Sequence, residues 1–127
     1  MCGRYTFFSP RESVTRLFDT PVPVSIEARY NIAPTQFVPA IRLDPQGQRQ
    51  LVMLHWGLVP SWAREKAIGN RMINARAETL AEKPSFKKAF SQRRCLVLTS
   101  GFYEWRKEGG AKRPYFISRK DSEPIAM

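Results

Sequence analysis

The chain has 127 residues, with 21 Lys+Arg against 11 Asp+Glu for a formal charge of +10, and 43% of its residues are apolar. That length fits one domain able to bury a core without metal or disulfide staples, and that apolar share excludes wholesale disorder. No apolar run approaches the ~20 residues of a membrane helix, and Met1-Cys2-Gly3-Arg4-Tyr5 lacks the apolar stretch of a secretory signal. Cys2 and Cys95 are the two cysteines, so there is no disulfide scaffold. Nor is there a CxxC or a Cys/His cluster, so neither metal nor other cofactor is expected. A reducing, intracellular setting (cytoplasm or nucleoid) is the expectation. The positive balance points to a polyanion, nucleic acid ahead of an anionic membrane surface.

Gly3 to Phe8 reads as a short strand. Ser9-Pro10-Arg11-Glu12 then has the form of a capping box with Pro at the first helical position. Val14, Leu17 and Phe18 continue it as an amphipathic helix, which Pro21 and Pro23 end. Residues 24 to 36 read as an irregular loop. Phe37 to Leu43 is a strand, placed at an edge by Pro39. Asp44-Pro45-Gln46-Gly47 is a turn. Arg49 to Leu58 follows as a strand with two apolar faces, which predicts a central position.

A loop opens at Pro60-Ser61-Trp62, and Arg71 to Asn74 is short and extended. Pro84 to Gln92 reads as a second helix, with Phe86, Ala89 and Phe90 on one face. Cys95 to Thr99 is strand-like. Phe102 to Lys107 and Pro114 to Arg119 flank Glu108-Gly109-Gly110 as a hairpin. Lys120 to Glu123 is a turn, and Pro124 to Met127 opens another strand. The expected fold class is therefore β-rich α+β.

Cys2 carries the most chemistry. Initiator methionine is normally removed before a small second residue. The α-amine so released has a pKa of about 8 and is nucleophilic near neutrality. It can attack an aldehyde to give a Schiff base. The adjacent thiol can then close a thiazolidine ring on the imine carbon. The aldehyde peculiar to DNA is the ring-opened sugar of an abasic site. By position alone, however, Cys2 reads first as a small hydrophobe. Cys95, inside an apolar strand, reads as buried and inert.

Five segments occur in order: Met1-Cys2-Gly3-Arg4-Tyr5, Tyr30-Asn31-Ile32-Ala33-Pro34, Trp56-Gly57-Leu58-Val59-Pro60, Ile73-Asn74-Ala75-Arg76-Ala77-Glu78-Thr79 and Gly101-Phe102-Tyr103-Glu104-Trp105. This set resembles the SRAP family of SOS response-associated peptidase-like proteins, which includes the YedK type. The resemblance implies a twisted, barrel-like, mostly antiparallel sheet with short peripheral helices. It also implies a DNA-damage-response protein that crosslinks covalently to abasic sites in single-stranded DNA. Cys2 would be the crosslinking residue. Asn74 would hold the terminal cysteine or the opened sugar, and Glu104 would be the acid/base carboxylate. Arg4 and Arg76 would grip phosphates, and Trp62 would wedge the nucleic acid. The family also has a histidine in a strand beyond the point where this sequence stops, and His55 does not match that motif. The chain is thus read as a single domain, 1–127, lacking its C-terminal part, with an unpaired sheet edge.

Residue chemistry adds to this. Tyr103 and Trp105 would exclude water from Glu104 and raise its pKa. Asn74 can orient an amine without protonating it. Arg76 and Glu78 alternate, so in an extended segment they would share a face and could pair. Arg4, on the face of Cys2, would draw in a phosphate. Arg64 and Arg71 are further basic residues, and Arg71 is taken as DNA-binding. Lys87, Lys88, Arg93 and Arg94 read as a solvated helix face and its end. Trp56 and Trp105 read as core, and His55 as a partly buried structural residue. Two other functions stay open. One is an N-terminal-nucleophile peptidase or amidohydrolase using the Cys2 thiol, with lyase or auto-peptidase activity beside it. The other is a non-covalent single-strand DNA-binding module.

Overall fold

Tyr5, Thr6 and Phe7 are exposed by no more than 2% in any case, although alternate residues of a strand face opposite ways. The strand near the N-terminus is therefore covered on both sides, and the rest of the chain is arranged around it. The computed structural model describes residues 2–22 and 26–127. In chain order the elements are β1 (Tyr5–Phe7), α1 (Arg11–Phe18), β2 (Arg29–Ile32), β3 (Phe37–Leu43) and β4 (Arg49–His55). Two 3-10 turns, Lys66–Arg71 and Ala77–Thr79, lead to α2 (Pro84–Gln92). Then come β5 (Leu96–Thr99), β6 (Gly101–Glu108), β7 (Ala111–Ile117) and β8 (Ile125–Ala126).

The strands form two four-stranded sheets, ordered β2-β1-β6-β7 and β4-β3-β5-β8. Every pairing between them is antiparallel. The β-rich α+β class expected from sequence is what is found, as two sheets; no pairing among the described residues closes them into a barrel. Tyr5, Phe7, Ile32, Val38, Ile41 and Leu98 from both sheets meet in the core, with Val14 of α1.

Several expectations are corrected. Ser9 does not cap α1: its hydroxyl lies 2.7 Å from that of Ser100, which also accepts from the Phe8 amide at 2.8 Å. Joining the sheets takes precedence there over capping the helix. Residues 24–36 are not all loop, since Arg29–Ile32 pair with β1 as β2; residues 23–25 lie outside the described residues, as does Met1. Pro39 does not mark an edge, because β3 lies between β4 and β5. It pairs with β5 only at Ala40 and Ile41, so the missing proline N–H falls outside that stretch. β4 is an edge strand rather than a central one, and it stops at His55. Its second apolar face, through Leu54, lines a groove of about 920 Å³ shared with Ala89 of α2.

The hairpin turn is as expected: Gly109 and Gly110 take φ of 54° and 84°, the left-handed values that a tight two-residue turn requires. β7 forms the outer edge of its sheet, with Tyr115, Phe116 and Ile117 each more than 40% exposed.

The junction between the sheets is polar and fully buried. The Thr99 hydroxyl lies 3.0 Å from the Thr6 carbonyl and 2.9 Å from that of Gly101, and accepts from the Gly101 amide at 3.0 Å. Thr99→Val keeps the shape and strands these groups. It is expected to lower unfolding stability by about 1–3 kcal/mol, measured by urea denaturation. A loss below about 0.5 kcal/mol, as for an ordinary surface change, would show that the junction does not hold the sheets.

Candidate functional site

The site begins with the register of β1 on β6. Tyr5 stands opposite Phe102, and the Tyr103 amide donates to the Arg4 carbonyl at 2.9 Å. Continuing that register carries Gly3 to Glu104 and brings Cys2 to the same end of the strand pair. Glu104 is half-buried, and its charge acts on the Cys2 thiol.

Asn74 arrives from a different direction. β4 ends, and Gly57 takes φ of 139°, a conformation side chains resist. A Cβ at Gly57 would stand 2.6 Å from the Gly69 carbonyl oxygen, so the loop folds back tightly on itself. The Leu58 amide donates to Met72 O at 3.0 Å, and the Trp56 indole donates to Ile73 O at 2.9 Å. That indole ring also packs on Tyr5, 5.3 Å between centroids. The returning strand of the loop is thereby fixed against β1, and Asn74 Nδ2 donates to the Cys2 carbonyl at 2.9 Å across 72 residues of sequence. Cys2, Asn74 and Glu104 are thus brought together.

The thiol of Cys2 is half-buried against the edge of the core and donates to Arg4 O at 3.4 Å. Burial, with the Glu104 charge adding to it, pushes this thiol above its usual range. Burial does the same to Cys95, which is half-buried and stands just before β5 rather than within it.

The cations are less concentrated. Arg4 Nη1 donates to Asn31 Oδ1 at 3.0 Å, so β2 orients it. Asn31 stands in one of the family-like segments, yet nothing in its sequence setting showed that it would hold Arg4. Trp62 is 57% exposed. With Arg64, Ile68 and Arg71 it lines a concavity of about 510 Å³, so an indole face and two guanidinium groups share one opening. Arg71 ends a 3-10 turn rather than beginning an extended segment. Arg76 is exposed just before the second 3-10 turn, Ala77–Thr79, which contains Glu78. Turn geometry removes the shared face expected of Arg76 and Glu78, and no ion pair joins them among the described residues.

Two aromatic expectations fail. Trp105 is not core but 44% exposed, because β6 extends beyond the sheet-to-sheet contact. His55 is exposed rather than partly buried, since β4 is an edge; its ring meets Phe37 edge-on at 5.8 Å, and Nδ1 lies 3.3 Å from Gly57 O. Trp56, in contrast, does pack against the core. Lys87, Lys88, Arg93 and Arg94 are exposed on α2 and its end, as a solvated face should be. Among the described residues no metal-holding cluster occurs and no helix is long and apolar enough to cross a membrane.

A profile of the SOS response associated peptidase (SRAP) family matches residues 1–127. Over 131 residues the chain is 42% identical to abasic site processing protein YoqW of Bacillus subtilis strain 168, covering 100% of this chain and 58% of that protein. Abasic site processing protein YedK of Escherichia coli K12 is 34% identical over 133 residues, with the same coverages of 100% and 58%. A crystal structure of a protein from Bacteroides thetaiotaomicron superposes with a TM-score of 0.82 at 28% identity, covering 99% of this chain and 58% of that one. The chain therefore spans 58% of the length of these relatives.

The raised thiol pKa has a kinetic consequence, because the thiolate is the form that alkylates. Iodoacetamide labelling of Cys2, followed by peptide mass spectrometry, should be slower at pH 8 than for a cysteine peptide. The rate should still be rising above pH 9. A midpoint below about 8.5, the free-cysteine value, would contradict the burial assigned here.

Proposed function

The chain belongs to the SOS response associated peptidase (SRAP) family, and from that premise we propose that it processes abasic sites in single-stranded DNA by forming a covalent adduct through Cys2. The observation that carries the reading is the hydrogen bond from Asn74 to the Cys2 carbonyl, which pins the second residue beside Glu104. Relatives named as abasic site processing proteins support the general activity.

The chemistry follows from the groups present. Removal of Met1 frees the Cys2 α-amine. Its lone pair attacks the aldehyde carbon of the ring-opened sugar to give a carbinolamine. Loss of water leaves the imine. The thiol sulfur then adds to the imine carbon while its proton passes to nitrogen, closing the thiazolidine. Glu104 accepts the proton lost from the nitrogen that becomes cationic on attack and returns one to the departing hydroxyl. Asn74 fixes the Cys2 carbonyl, and with it the rotation of the amine toward the carbonyl carbon. Arg4, Arg71 and Arg76 bind phosphates beside the lesion, and Trp62 stacks on a flanking base.

The freed α-amine is taken as the first nucleophile, since the imine it forms is the species to which the adjacent thiol can add. Closing the ring uses the thiol as well as the amine, which a peptidase mechanism with the thiol alone as nucleophile would not. The result is a damage-response protein that shields the lesion as an adduct.

The test is a denaturing gel of the full-length protein after incubation with abasic single-stranded DNA. A shifted band should form, and Cys2→Ala should abolish it. Asn74→Ala should slow its appearance by about tenfold, the equivalent of one hydrogen bond of ~1.4 kcal/mol. Equal adduct from Cys2→Ala, or from protein shown by mass to retain Met1, would overturn the mechanism. Binding without any adduct would leave only a non-covalent module.

A further inference from the structure

On β6, Tyr103, Trp105 and Lys107 alternate with Glu104 and so face the opposite side of the sheet from it. Their cross-strand partners on β7 are Phe116, Pro114 and Lys112. This outer face carries a continuous chain of rings. Tyr30 of β2 stacks on Phe8 at 5.2 Å, Phe8 lies 6.5 Å from Phe116, Phe116 lies 5.3 Å from Tyr103, and Tyr103 lies 6.4 Å from Trp105. The rings are not hidden: Tyr30 is 62% exposed, Phe116 45%, Trp105 44% and Phe8 39%.

The chain of rings ends at a charge pair of unusual sign. Lys107 and Lys112 stand directly opposite each other. Like charges in that position destabilise a hairpin. The neighbouring pair, Arg106 opposite Arg113, is relieved by Glu108, which lies 3.5 Å from one and 3.3 Å from the other. Glu108 thus serves the other cross-strand cation pair, and among the described residues neither lysine has an ion-pair partner. Exposed rings in line on an antiparallel sheet, closed by uncompensated cations, have the chemistry of a stacking platform for unpaired bases with phosphate contacts at one end.

We infer that this outer face of the β2-β1-β6-β7 sheet binds intact single-stranded nucleic acid. Bases stack on Trp105 and Phe116, whose rings half-buried Tyr103 packs between, and the backbone crosses Lys107 and Lys112. A strand held here passes on the side of β6 away from Glu104. The surface therefore binds undamaged strand, and its occupancy does not depend on the adduct chemistry of Cys2.

The experiment uses Cys2→Ala protein, in which no adduct can contribute, and a fluorescein-labelled 15-nucleotide oligothymidylate without a lesion. Trp105→Ala should weaken binding about five- to hundredfold, the range for one stacked base. Lys107→Gln with Lys112→Gln should reduce the salt slope by about 1.4, two phosphate contacts on a single strand. Photocrosslinking from iodouracil-substituted oligomer should label the Gly101–Glu108 strand. An unchanged affinity for Trp105→Ala and an unchanged salt slope for the lysine variant, both with the parental melting temperature, would overturn the inference. So would labelling confined to residues 62–71. So would a face already occupied, seen as self-association or closure by further chain that Trp105→Ala abolishes and the oligomer cannot displace. If Trp105→Ala fails to fold, the lysine variant decides alone, since both side chains are exposed and unpaired.

Discussion

Burial of the first strand on both faces is the constraint from which the rest follows. Three consecutive residues, Tyr5, Thr6 and Phe7, leave solvent entirely, which no surface strand does. Apolar cover for Tyr5 and Phe7 comes from Ile32, Val38, Ile41 and Leu98. Thr6 needs polar cover, and the hydroxyl and carbonyl groups of Thr99 and Gly101 supply it. A strand so enclosed cannot slide, because a slip by one residue would exchange Thr6 for Tyr5 or Phe7 against that polar junction. Its N-terminal extension is fixed in consequence. An N-terminal segment would ordinarily fray; here the second residue of the chain has a defined place.

That fixed place explains why side chains distant in sequence converge. Glu104 is delivered by register on β6, and Asn74 by a loop that is locked through Gly57, Gly69 and the Trp56 indole. Both routes refer back to β1, one by its pairing and the other through the Tyr5 ring. Mobility in either route would degrade the geometry, since the proposed chemistry depends on an amine, a thiol and a carboxylate within reach of one carbon.

What could be read from the residues, and what could not, divides along physical lines. The helices, the Gly109-Gly110 turn and most strands announce themselves by periodicity and turn chemistry. Strand position in a sheet does not. Pro39 and the two apolar faces of β4 both suggested the wrong place, because position depends on which partners come from elsewhere in the chain. Ser9 shows a local rule losing to a tertiary one, a capping serine taken by Ser100. For the site, Cys2 suggested chemistry by itself, whereas the residue types at positions 74 and 104 did so only alongside the order of five family-like segments. Their meeting rests on β1–β6 register and a loop closure, neither of which is written locally. The role of Asn31 toward Arg4 had no sequence signal at all. Trp105 was misread because an aromatic residue in a strand is equally consistent with core and with an open face.

β6 shows what strand alternation allows. One residue in every pair looks toward the Cys2 side and the next looks away, so Phe102 and Glu104 serve core and site, while Tyr103 and Trp105 remain outside. The strand cannot satisfy one face by altering the other, because the period is fixed at two. The aromatic character of the outer positions is therefore not a by-product of burying Phe102. Phe116 does cover Gly101 closely, but Trp105 and Tyr30 remain open to solvent. Exposed rings and facing lysines both cost solubility or stability when uncovered. Their occurrence together, in line on one face and continuous across the strands, is the pattern expected of a surface shaped by something that stacks and carries negative charge.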